Sequence, residues 1–211
     1  MARRRTTKRK AVAQKYQGWL YSCISTGAPV AGTVAPFQNR QAFGFAEGAV
    51  IPGSAVISDR THTNMAVGSQ LPDGVAMTVE AIGFRIKDSQ LQTDPVDPIN
   101  IYDNLVATIF YDARNRSREL GPLVLWPAGV GVTGNFVSDA AAAPLLRQGM
   151  TNGAPFGGAM RKLQTPIPLK GRRNFTVAID APHAIVGLVA TTEVLIQVML
   201  WGTIYDRVSP T

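Results

Sequence analysis

VLIQVMLWGTIY, residues 194–205, decides the fold. Val194, Ile196, Val198 and Leu200 fall on one parity, and Leu195, Gln197, Met199 and Trp201 on the other. A period of two with apolar residues on both parities is that of a long strand covered on both faces. The run also contains Gln197, and the wider stretch from Ala184 to Tyr205 includes Glu193. Polar groups at those positions make it a poor membrane span.

Similar patterns recur on either side. Phe175, Val177 and Ile179 alternate with Thr176, Ala178 and Asp180, which gives a strand with one buried face. Thr165 to Leu169 reads as a strand leading into the turn Lys170-Gly171-Arg172-Arg173. Leu105 to Tyr111 (LVATIFY) is rich in β-branched and aromatic residues. Leu120 to Trp126 is another candidate, with Pro122 placing it at an edge or a bulge. From Val75 to Ile86 the apolar residues change parity near Gly83, which predicts one long strand with a bulge there. Pro72-Asp73-Gly74 is the turn before it. Phe43 and Phe45 alternate and Ala49 to Ile51 is stopped by Pro52-Gly53, which predicts a short strand on each side of that turn. Lys87 to Asp97 reads as a loop. Pro127 to Met160 reads as a long loop, with a short helix expected near Pro144 to Gln148.

Roughly eight strands, with no helical stretch long enough for a βαβ unit, predict an all-β chain. An antiparallel β-sandwich of jelly-roll type with long loops is the natural closure for such a set. The chain has 211 residues, 45% of them hydrophobic and only 17% charged, with 20 Gly and 14 Pro. It can bury its own core without disulfides. A surface so poor in charge suggests an exterior covered by other subunits.

The charge it does carry is concentrated. Of 21 basic residues, seven stand in MARRRTTKRKAVAQK, residues 1–15: Arg3, Arg4, Arg5, Lys8, Arg9, Lys10 and Lys15. No acid precedes Glu47, and residues 16–211 hold 14 charges of each sign. The chain is thus a neutral body with a cationic, disordered arm. Cations that neutralise phosphates release counterions, so such an arm binds nucleic acid strongly, salt-dependently and with little regard to sequence. Residues 1–15 are read as the arm, 16–36 as a linker or edge segment, and 37–211 as the body. The apolar run after the arm is too short for a signal peptide.

Two smaller basic groups stand apart from the arm. Arg114, Arg116 and Arg118 share a parity in RNRSR, and Lys170, Arg172 and Arg173 occupy a turn. Either group reads as a nucleic-acid contact, or as a solvated loop with rim salt bridges to residues such as Asp112 and Glu119. Trp19, Trp126 and Trp201 read as core or interface anchors, with only Tyr16 and Trp19 near enough to the arm to stack on bases.

Catalytic patterns are missing. Cys23 is the single cysteine and reads as a small apolar residue. His62 and His183 read as solvent-facing loop residues without metal-ligand spacing. Asp94 and Asp97 would need further oxygen ligands to hold a cation. No nucleophile elbow or phosphate-binding glycine loop occurs. The sequence therefore predicts no enzyme, cofactor, metal or small-molecule substrate.

The arm ARRRTTKRKA, followed by a Gly/Thr/Pro segment and a neutral all-β body, resembles the coat proteins of small icosahedral viruses built on a single jelly roll. The resemblance covers the layout of the whole chain, and the arm is its one specific feature. It implies a homo-oligomeric shell and a packaged genome, DNA or RNA, held by the seven arm cations. It also implies residence in the virion after assembly inside the host cell. Two other readings keep the arm: a minor or vertex protein of a virion, and a non-viral nucleic-acid-binding module.

Overall fold

The computed structural model describes residues 12–87, 96–112, 116–128, 133–135, 149–151, 160–188, 190 and 192–208. Among these, eight strands build two four-stranded antiparallel sheets. The first runs, in spatial order, β1 (Val12–Ser25), β10 (Leu195–Val208), β3 (Val75–Lys87) and β8 (Arg161–Leu169). The second runs β2 (Phe37–Ala42), β9 (Phe175–Ala181), β4 (Val106–Tyr111) and β5 (Arg116–Pro122). A short helix, α1 (Val96–Asn104), and a two-stranded ladder of β6 (Thr133–Asn135) and β7 (Gly149–Thr151) lie between them in sequence.

One core joins the inner faces of both sheets. Ile196, Val198, Leu200 and Ile204 of β10 and Met77, Val79, Ile82, Phe84 and Ile86 of β3 pack with Ala107 and Ile109 of β4 and Val177 and Ile179 of β9. The chain is therefore an all-β sandwich. The parity switch in β3 falls at Glu80 and not at Gly83: Trp201 pairs with Ala81, while Gly202 pairs with Val79. Glycine is required on the partner strand, because a Cβ at Gly202 would collide with the Thr78 carbonyl oxygen and lie 3.0 Å from the Glu80 nitrogen. Gly83 has another task. A Cβ there would stand 2.8 Å from that of Ala128, on the segment that hydrogen-bonds Phe84 through Trp126 O and Ala128 N.

Several expectations need correction. Of the two readings of residues 16–36, the edge segment holds as far as Ser25 and the linker does not: β1, at the edge of the first sheet, pairs with β10 from Val12 to Ser25 and buries Leu20 and Ile24 in the core. This also takes Lys15 out of the arm and into a strand. β2 precedes Phe43, whose φ of 66° ends the extended run. The Ala49–Ile51 segment makes only an isolated bridge, Val50 to Ile57. The strand expected over Leu120–Trp126 is instead β5 ending at Pro122, followed by a 3-10 turn over Leu123–Leu125. Val96 and Asp97 belong to α1, with Pro98 in its first turn, where a missing N–H costs nothing. The helix expected near Pro144 lies outside the described residues.

The topology sorts the connections between two ends. The start of β1, the end of β10 and the tight connections 112–115 and 170–174 share one end, called here the arm end. Segments 26–36, 88–105, 123–160 and 182–194 connect strands at the opposite, loop end. The long β2–β3 connection folds back over the outer face of the first sheet. It is tied there by Ser25 N to Pro52 O at 2.9 Å and Lys87 Nζ to Thr61 O at 2.8 Å. Its Phe45 and Ile51 join Cys23 and Leu195 of the sheet in a second apolar cluster.

Candidate nucleic-acid interface

Arg3, Arg4, Arg5, Lys8, Arg9 and Lys10 lie outside the described residues. Lys15, the seventh candidate, is exposed on β1 opposite Tyr205, with its Nζ 5.9 Å from the centre of that ring. The arm therefore joins the body at the edge of the first sheet, where Val12 faces Val208.

The two smaller basic groups meet at the same end. Arg116, at the start of β5, lines a cleft of about 90 Å³ with Lys170 and Arg173 of the β8–β9 turn, together with Tyr111, Asp112 and Pro168. Arg118 donates from Nη1 to Thr165 O at 2.9 Å, so it bridges the edge strands β5 and β8. Arg172 pairs with Asp73 at 2.7 Å. Arg114 is outside the described residues. A larger open cleft of about 650 Å³ adjoins the first across Tyr111, Asp112 and Arg173. Phe110, Asn39, Gln41 and Arg172 also line it. Guanidinium groups, amides and an exposed ring at one place can meet phosphates, base edges and base faces.

Trp126 is a core anchor, as the sequence suggests, whereas Trp19 stands exposed on the outer face of the first sheet. Trp126 Nε1 donates to Leu120 O at 2.7 Å, with the Arg161 guanidinium 4.8 Å over the ring. Trp19 and Trp201 pair directly across β1 and β10, with ring centres 6.3 Å apart. Tyr205 and Phe110 were not singled out at all. The signal that finds Tyr205 is its shared parity with Trp201 on one strand, but its meeting with Lys15 depends on the β1–β10 register.

Other polar groups hold the loops together. Glu193 accepts from Ser25 Oγ at 2.5 Å and Ser54 Oγ at 2.7 Å, while Arg40 donates to Ser25 O at 2.5 Å. The Arg40 guanidinium stacks 3.8 Å from the centre of the Phe37 ring, and burial lowers its affinity for protons. His62 is not solvent-facing: its ring is largely buried, and Nδ1 lies 2.7 Å from Asp59 Oδ1. Hydrogen bonds from Thr61, side chain first and then backbone, and from His62 hold the Asp59 carboxyl down at about 2. His183 is exposed, as expected. Burial pushes the Cys23 thiol up to about 12. Among the described residues, no group of three or more His, Cys, Asp or Glu side chains could hold a metal ion. The side chains of Asp94 and Asp97 are not among those described. No described helix is long and apolar enough to cross a membrane.

Comparison with protein-family models, with curated proteins and with solved structures finds no match for this chain.

Proposed function

We propose that this chain is the subunit of a viral shell. It assembles with copies of itself into an icosahedral capsid and holds the packaged genome through its N-terminal arm. We read its sandwich as a jelly roll.

Strand order is the observation that carries this reading. β1 pairs with β10, β2 with β9, β3 with β8 and β4 with β5. These are the four nested pairs of one antiparallel ribbon folded back on itself. Rolling that ribbon brings β10 against β3 and β9 against β4, which are the two remaining ladders of the sandwich. A double-sheet roll of this kind serves viral capsids, lectins and cupins, so the fold by itself assigns no function. The seven cations concentrated in residues 1–15 of a chain otherwise neutral favour the capsid among these. Aliphatic side chains exposed on the loop end favour burial against further copies.

Negative-stain electron microscopy of the purified chain at low and high salt, with the ultraviolet absorbance ratio of the same sample, tests the proposal. Closed particles of uniform diameter that carry nucleic acid at low salt are expected. A small monodisperse species that binds nucleic acid without closing would overturn it, in favour of a binding module or of a vertex protein that needs a partner.

A further inference from the structure

The outer face of the first sheet carries aromatic rings that the sandwich leaves uncovered. Trp19 is 47% exposed and Tyr205 37% exposed. Trp19 and Trp201 stand side by side, their planes tilted by 55°. Their row continues across the sheet through Ala81 of β3 to Lys162 of β8. Four residues nearer the arm, a distance of about 13 Å along the strand, the next outward pair with a ring is Lys15 with Tyr205. Arg207 shares the outward parity of Tyr205 and is exposed. Glu80, the acid at the bulge, accepts from Thr203 Oγ1 at 2.7 Å.

We propose that this face stacks the unpaired bases of single-stranded nucleic acid on Trp19 and Trp201, while Lys15, Arg207 and Lys162 hold its phosphates. The inference rests on the arm's binding nucleic acid and adds the form of the ligand. Cations interleaved with open rings fit a strand that offers a phosphate and a π-face at every nucleotide. A duplex keeps its base faces stacked inside and offers the rings nothing. Charge favours nucleic acid over a second copy as occupant. The six arm cations at positions 3–10 lead into this same strand, and a like face would bring cation against cation.

The test uses the full chain, a thymidine oligomer, and an abasic oligomer with the same number of phosphates. The thymidine oligomer should quench tryptophan fluorescence and bind about tenfold more tightly than the abasic one. Trp19→Ala should remove that advantage and leave abasic binding unchanged, and Trp19→Phe should restore most of it. Equal affinities with no quenching, insensitive to Trp19→Ala, would overturn the platform while leaving the arm reading intact. Failure of both oligomers to bind would overturn both. Loss of particle formation in Trp19→Ala with unchanged oligomer binding would assign the face to contacts between copies and refute the proposal.

Discussion

At the arm end and along the strands leading to it, the exposed side chains include cations and rings, Lys15, Arg116, Lys170, Arg172, Arg173 and Arg207 with Tyr16, Trp19, Phe110 and Tyr205, beside polar groups such as Asp73 and Asn174. At the loop end the large exposed hydrophobic side chains are aliphatic: Val30 at 78% and Val186 at 62% exposure, then Val124, Leu125 and the Val50–Ile57 hairpin. Val67 is the described aliphatic exception on the arm side. Both sets share one core and one register, so the contrast comes from which connections each end receives. Short turns keep polar and charged residues at the arm end. At the loop end, the described parts of segments 26–36, 123–160 and 182–194 and the hairpin of the 43–74 connection, tied back to Ser25, expose aliphatic side chains. Uncovered apolar surface marks a place for a partner, and cations with open rings mark a place for phosphate and base. On the proposed function, one end serves assembly and the other serves cargo.

The largest effect would come from the bulge on which both ends depend. Gly202→Val drives a side chain into the Thr78 carbonyl and should cost more than about 4 kcal/mol, enough to prevent folding. Soluble yield and thermal unfolding measure it. A stable variant would mean that the β10–β3 register is wrong, and with it the row Trp19–Trp201–Ala81–Lys162.

Val186→Asp separates the ends. It should change the stability of the single chain by less than about 0.5 kcal/mol, as exposed substitutions do, yet abolish particles seen by light scattering. Normal particles from this variant would remove the loop end from assembly.

The smallest effect concerns the cover over the first sheet. The Asp59 carboxyl sits at about 2 against an ordinary 3.8, so its ionised form is the one the fold favours. Its hold on the 59–62 turn is complete above about pH 4 and is lost as pH falls from there toward 2. Cys23 lies beneath this cover as a neutral thiol and reports its opening. Labelling of Cys23 by a thiol reagent active in acid should be slow and flat down to pH 4, then rise. Asp59→Asn should label severalfold faster already at pH 7, and identical rates in the two proteins would detach the turn from the cover.

How much of this could be read from the sequence varies strand by strand. β10, β3, β4 and β9 were legible because Val, Ile and Phe alternate on a buried parity, and their expected bounds differ little from the observed ones. β1 was hidden because Gly18 and Ser22 take inward positions among its apolar residues. Gly18 lies opposite Gly202, and a side chain there would displace the end of the Ile204 side chain. β2 was hidden because only Phe37 and Ala42 of its six residues are buried, and Asn39 adopts a positive φ. β8 was half hidden by Pro166 and Pro168, which an edge strand tolerates. The arm was legible as composition alone. The meeting of Arg116 with Lys170 and Arg173, and of Trp19 with Trp201, was not, because both depend on pairings between strands far apart in sequence.

The division of labour between the ends is tested most directly by one titration. Nucleic-acid affinity is measured against salt concentration for the full chain and for the chain lacking residues 2–10. Removing six cations should lower the slope of log affinity against log salt by about four, at about 0.7 per single-strand phosphate. The body should keep its unfolding transition. An unchanged slope in the shortened chain would contradict the account, because the cargo would then be held by something other than the arm.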